Sequence, residues 1–375
     1  MGHDHSHAQP HRRIDPNAPA PRLHLDGVLL PEGERRELWV VDGLIRFEPV
    51  ADAVTICAGG HILPGLVDAH CHIGLDEAGA VDDATSEEQA YTDRDAGTLL
   101  IRDAGSPADT RWIDDREDLP RLVRAGRHIA RPRRYIRNYA AEVEPDDLVA
   151  EVERQAARGD GWVKLVGDWI DRETGDLGPL WPAEAVAAAI ARAHQLGAKV
   201  TAHQFGEAGL AELIAAGIDG IEHGTGLTDQ TITMMAARQV SLVPTLVNLE
   251  TFPDIAARGE GKFPGYAAHM RDLYARRFET IGACIDAGVP VFAGTDAGGV
   301  IPHGLIGREI ELLGRVGSAE HALGAASWRA RDWLGFAGIA DGAPADLVVI
   351  DGDPREDLSL VRTPIRVVLR GRVVL

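Results

Sequence analysis

The chain has 375 residues, a formal charge of −20 and 45% hydrophobic residues. An acidic balance of this size excludes a basic nucleic-acid surface, which needs clustered Lys and Arg, and no run of about 18 apolar residues offers a membrane span. Three cysteines, Cys57, Cys71 and Cys284, give no disulfide framework and fit a reducing, cytoplasmic setting.

The N-terminus, MGHDHSHAQPHRR, lacks the apolar core of a signal peptide. Its histidines (His3, His5, His7, His11) could sequester metal, but nothing nearby has helical or strand periodicity, so residues 1–20 are expected to form a solvated tail. From about Leu23 to Ile62 short apolar runs are bounded by Asp-Gly and Gly-Gly, and the last forty residues (ADLVVIDGD, IRVVLRGRVVL) read the same way. Neither end has enough strands to bury a face alone. One small composite β-sandwich, residues 21–62 with 337–375, is therefore expected.

Between them, over 63–336, strands alternate with helices. HILPGLVDAHCH is the first strand and TLLIRDAG the second, followed by RLVRAGRHIA. EPDDLVAEVERQAARG is a helix with an acidic first turn, and GWVKLVGD the next strand. WPAEAVAAAIARAHQLG is a helix with Pro182 early and Gly197 at its end. AKVTAHQ, IDGIEHG, VSLVPTL and VPVFAGTDAGG are strands with helices between them, the last helix ending at Gly288. Eight strands with intervening helices predict parallel βαβ units closing into a (β/α)8 TIM-like barrel, which needs about 250 residues.

In such a barrel the chemistry sits where strands end. Polar residues close otherwise apolar strands here: His70 and His72, Asp103, Lys164, His203, His223, Thr245 and Asp296. Buried without partners they would be costly, and a metal ion supplies partners. Alternate residues of a strand share a face, so His70 and His72 point inward together, able to grip one ion, and Cys71 points outward as a packing residue rather than a third ligand. Imidazole and carboxylate suit Zn²⁺, with Mn²⁺, Fe²⁺ or Co²⁺ also able to fit.

LPGLVDAHCH, VKLVGD, VTAHQ, GIEHG, GTDAGG and the tail GAPADLVVIDGDP occur as an ordered set that resembles the amidohydrolase superfamily over about residues 23–375. The imidazolonepropionase-like and prolidase-like (Xaa-Pro dipeptidase-related) branches are the most similar. The resemblance implies that His70, His72 and Asp296 bind one metal and His203 and His223 a second. It implies that Lys164, carboxylated on its side-chain nitrogen, bridges two zinc ions in a binuclear metal centre. Asp296 would be the proton shuttle for a metal-activated hydroxide that cleaves a C–N amide bond in a dipeptide, N-acyl amino acid or cyclic amide. The alternative for Lys164 is a barrel-lining lysine paired with a carboxylate such as Asp296.

His303, in IPHG, resembles a Pro-His-Gly element that touches substrate in related enzymes, and that resemblance implies a place for it beside Asp296 in catalysis, against the plain reading of a loop histidine. Arg133, Arg134, Tyr135 and Arg137 stand where related enzymes carry a glycine- and histidine-rich loop. An arginine fork there could hold a substrate carboxylate, and a solvated basic face is the alternative. Trp169 and the 248–268 segment are candidates for pocket wall and lid. A deaminase of the superfamily usually has a glutamate three residues after the fifth-strand histidine, where this chain has Gly206, with Glu207 one further on. A lactonase or esterase uses the same chemistry, and a scaffold without metals would be a binding protein. A small-molecule substrate and a homo-oligomer are expected.

Overall fold

The computed structural model of the protein describes residues 11–15 and 18–375. His3, His5 and His7 lie outside the described residues. His11 does not stand free in solvent: its Nδ1 is 2.6 Å from Asp95 Oδ2 and its ring stacks on Tyr91. His11 is therefore held against the helix Asp83–Asp95 by a hydrogen bond and a ring stack.

The two chain ends do assemble together, in one hydrogen-bonded seven-stranded sheet. The cause is the long strand Val54–Pro64. It pairs parallel with Leu23–Leu29 on one side and antiparallel with Leu347–Ile350 on the other. One strand thus joins both termini in a single ladder. Alternation along Leu23–Leu29 turns Leu23, Leu25 and Leu29 inward, where they meet Leu38, Ile45, Ile62, Leu347, Val349 and Val368 in a core separate from the main one. Each such side chain stabilises the fold by about 2 kcal/mol relative to exposure.

Between the ends, parallel strands alternate with helices as expected. Leu66–Cys71, Thr98–Asp103 and Arg121–Arg124 form a three-stranded parallel sheet. Ile129–Ala130, Trp162–Val166, Lys199–Gln204, Gly220–His223 and Ser241–Val243 run parallel within a six-stranded one, together with Ala141–Glu142. A single continuous barrel ladder does not form among the described residues, for two local reasons. The third strand breaks between Arg124 and Ile129, where Gly126 takes a left-handed turn (φ +71°). The eighth strand expected from VPVFAGTDAGG is irregular, because Asp296 sits at φ +61°. Its place is still filled: residues 290–297 bond to Leu242 on one side and to Ala69 and His72 on the other.

The helices obey their end signals. Ala183–Gln195 starts after Pro182 and is followed by Gly197 at φ +77°. Asp229–Arg238 starts on a capping box between Thr228 and Thr231. The 248–268 segment, a candidate for pocket wall or lid, is mostly helical, with Phe252–Gly259 and the start of Pro264–Asp286. Phe252 is fully buried and packs edge-on against Phe205, which anchors the segment to the core. Under the strands, Trp333 stacks on Phe292 and meets Trp162 edge-on, making an aromatic floor at the strand starts. No helix of the described residues is long and apolar enough to cross a membrane.

Candidate metal centre

The first strand, Leu66–Cys71, is buried throughout and delivers His70 and, one residue beyond it, His72. Their rings stand edge-on with centroids 5.1 Å apart. Hydrogen bonds at the far nitrogens fix how each ring is protonated. His72 Nδ1 is 2.7 Å from the Gly105 carbonyl, an oxygen that can only accept, so Nδ1 carries a proton. His70 Nδ1 is 2.6 Å from Glu222 Oε2. Both Nε2 atoms then face Asp296 Oδ1, at 2.9 Å from His72 and 3.2 Å from His70. A neutral imidazole would place a bare lone pair against a carboxylate oxygen there. A cation between them turns that repulsion into coordination.

The sixth-strand end adds to the cluster. His223 Nδ1 is 2.7 Å from Thr245 Oγ1, and its Nε2 is 2.9 Å from His203 Nδ1. His203 Nε2 is buried with no hydrogen-bond partner, an orphan that a metal would satisfy. Lys164 Nζ lies 3.5 Å from His70 Nε2. Trp162 shares its face of the strand and reaches the aromatic floor. Ligand atoms of His70, His223 and Asp296 all fall within 4.8 Å of one another. The imidazole, carboxylate and amine set fits a divalent ion of the zinc class.

Three strand ends carry the centre on left-handed backbone: His223 (φ +68°), Thr245 (φ +48°) and Asp296 (φ +61°). Non-glycine residues there store strain, and such strain collects at functional sites. At His223 it has a visible use. Consecutive strand residues normally face opposite ways, yet Glu222 and His223 both meet the cluster. Asp68 holds the opposite wall. Its Oδ1 accepts from the His70 and Thr295 N–H groups, and its Oδ2 from the Thr295 hydroxyl.

Burial dominates the electrostatics. It brings Lys164 down to about 8, although Glu222 and Asp296 favour its charge, so a neutral amine is accessible near pH 7. Burial and Lys164 bring His203 down to about 3, so it stays a neutral ligand. Burial alone would raise Asp296, but His70, with the hydrogen bonds of both histidines, holds it well below the usual carboxylate range. Burial and the charge of Asp93 push Asp68 up to about 7.

The structure thus brings His70, His72, Lys164, His203, His223 and Asp296 together. The other sequence candidates divide. The Tyr135 ring lies 5.6 Å from His203 and 4.9 Å from Trp169, walling the centre. Arg133 and Arg137 are exposed, and Arg134 reaches Asp171 at 3.4 Å. Arg133, Arg134 and Arg172 instead border an open cavity of about 460 Å³ beside that wall. His303 Nδ1 binds Asp93 at 2.8 Å and lies 3.7 Å from Cys71 Sγ. That places it with the outward-facing Cys71 behind the first strand, because the buried Asp93 carboxylate draws it there. Glu207 points away to His269 and Arg276.

Sequence reasoning passed over three residues at this site. Asp68 is two before His70 in LPGLVDAHCH, so the alternation that pairs His70 with His72 could have found it. Glu222 was hidden by the same alternation, which the left-handed His223 breaks. His128 is fully buried, its ring 5.0 Å from His72 and 5.4 Å from Tyr135, and nothing in RAGRHIA marks it.

Comparison with known proteins gives this geometry its context. An uncharacterized protein of Mycobacterium tuberculosis is 56% identical over 366 residues, covering 96% of this chain and 99% of that one. Two solved structures share the fold at low identity. A Xaa-Pro dipeptidase with methionine bound in its active site has TM-score 0.79 and 22% identity, covering 94% of this chain and 99% of that one. A prolidase complexed with N-methylphosphonate-L-proline has TM-score 0.78 and 21% identity, with the same coverage. The amidohydrolase family pattern matches residues 61–374, a span that contains every residue of the buried cluster. The chain belongs to the amidohydrolase family.

Proposed function

We propose that this protein is a metal-dependent hydrolase that cleaves a C–N amide bond in a small molecule: a dipeptide, an N-acyl amino acid or a cyclic amide. The observation that carries the reading is the convergence of His70 and His72, protons turned away, on one oxygen of Asp296. The family and the fold shared with a Xaa-Pro dipeptidase and a prolidase support it.

In this reading His70, His72 and Asp296 hold one divalent ion, and His203 and His223 a second. When bound, the ions supply Lewis acidity that polarises the scissile carbonyl and acidifies water. Lys164 joins the two sites. Its neutral Nζ adds to CO2, a proton leaves to solvent, and the anionic carbamate replaces a repelled ammonium. Asp296 Oδ1 takes a proton from the attacking water and returns it to the departing nitrogen. Tyr135 and Trp169 wall the substrate. The remoteness of Glu207 from the centre favours amide hydrolysis over deamination.

The experiment is metal analysis and a substrate panel on zinc-loaded protein: Xaa-Pro dipeptides, N-acyl amino acids, cyclic amides and lactones. Two ions per chain and amide turnover are expected. Lys164→Ala should lose one ion, with partial rescue by short carboxylic acids. One tightly held ion and an active Lys164→Ala would make the site mononuclear. No bound metal and no turnover would make the chain a binding protein, and lactone turnover alone an esterase.

A further inference from the structure

Glu222 is buried deep beside the cluster, and every partner it has is a donor or can be one. Its Oε1 accepts from Arg102 Nη2 at 2.6 Å and from the Thr201 hydroxyl. Its Oε2 is left to His70 Nδ1, at 2.6 Å. Arg102 cannot drift. Its Nε donates to the Ala69 carbonyl at 2.7 Å, and its guanidinium lies over the rings of Trp162 (4.7 Å) and Trp333 (5.2 Å). A continuous chain of contacts runs from the aromatic floor through Arg102 and Glu222 to the first ring of the metal cluster.

We propose that Glu222, held by Arg102, is the positioning residue that fixes the His70 proton on Nδ1 and so keeps Nε2 open for a metal. This rests on the reading of His70 as a ligand. Histidine ligands are oriented by the group that takes their other N–H. Each imidazole can be protonated on either nitrogen, and the partner decides which. His72 is fixed by a carbonyl that can only accept. His70 is fixed by a carboxylate, and its choice depends on charge two contacts away.

The bonding makes the consequence sharp. In Glu222→Gln, Arg102 still demands an acceptor, so the amide oxygen stays with Arg102 and Thr201. The amide NH2 then faces His70, which accepts through Nδ1 and moves its proton to Nε2. A substitution that changes neither size nor shape should flip the ring from ligand to non-ligand. Thr201→Val removes only one donor from the opposite oxygen and should not.

The test has two readouts besides turnover. In metal-free protein, at a pH where His70 carries a single proton, nitrogen–proton NMR of ¹⁵N-histidine, with His70 assigned by the signal lost in His70→Asn, reports its tautomer. Wild type should show the proton on Nδ1, and Glu222→Gln on Nε2. Zinc titration should show Glu222→Gln weakened 10- to 100-fold, roughly the cost of losing such an outer partner. Thr201→Val should stay within about threefold, well short of that. A wild-type proton on Nε2, or wild-type zinc affinity in a folded Glu222→Gln, overturns the proposal. If Glu222→Gln does not fold, the wild-type spectrum alone decides. Wild type that binds no zinc would instead sink the metal reading, leaving the tautomer result to judge this inference.

Discussion

His269 offers a test whose size and pH dependence follow from the structure. It lies on the helix Pro264–Asp286, with Nδ1 2.9 Å from Asp176 Oδ1 and Nε2 2.9 Å from Glu207 Oε2. Two carboxylates, one at each nitrogen, call for two protons, so the ring is an imidazolium. The hydrogen bond to Glu207 is the largest cause raising it from 6.5 to about 9, with Asp176 adding to it against burial. A shift of about 2.5 units corresponds to a ceiling of about 3.4 kcal/mol. The side chain is 21% exposed and its partners about 40%, so solvent screening reduces this to about 1 kcal/mol. Because the folded value is raised, this stabilisation is complete below about pH 6.5 and disappears as pH rises through 9. Urea unfolding of wild type and His269→Gln should differ by about 1 kcal/mol at pH 6 and by almost nothing at pH 10. The pair also ties the hairpin Asp168–Asp171 and Asp176–Pro179, which carries Trp169 beside His203, to the helix. The variant should therefore raise KM at pH 6 more than it lowers kcat. A stability difference that does not change with pH would refute the imidazolium argument.

Two further changes probe the centre and its backbone. Asp296→Asn removes the charge facing both Nε2 atoms and should lower kcat by on the order of 100-fold or more. Circular dichroism should stay unchanged, and near-wild-type turnover would remove Asp296 from the chemistry. Gly226→Ala would place a Cβ 2.2 Å from the Gly206 carbonyl carbon and 2.5 Å from Glu207 N, backbone that cannot swing aside. It should cost roughly 3 kcal/mol or more in urea unfolding. Gly261→Ala, where nothing lies within 4 Å, should be close to neutral.

Most of the candidate ligand set was legible because strand alternation and polar strand ends are local signals. His70, His72, Lys164, His203, His223 and Asp296 each close an apolar run, and the structure gathers them. What alternation could not reveal is where the backbone leaves the strand. His223 at positive φ brings Glu222 into the cluster, and Asp296 at positive φ leaves the eighth strand as bridges. The arginine cluster was legible as charge but not as direction. Arg134 is turned by Asp171, on a hairpin that pairs only with itself. His303 followed a buried carboxylate 210 residues away in sequence, a pairing no local pattern carries.

The seven-stranded sheet imposes an order of events on synthesis. The strand Val54–Pro64 is made early, but its partner Leu347–Ile350 arrives about 280 residues later. At roughly 5–20 residues per second the wait is on the order of tens of seconds. For that time the nascent chain leaves the edge of His61–Pro64 without its partner, the kind of edge that recruits other strands. A chain stopped before Leu347 should therefore go to the insoluble fraction, even though it holds every residue of the candidate metal centre. Solubility of that truncated chain would show that the edge is covered some other way. The last strands act as a late-arriving cover, and the protein becomes safe from its neighbours only when translation is nearly complete.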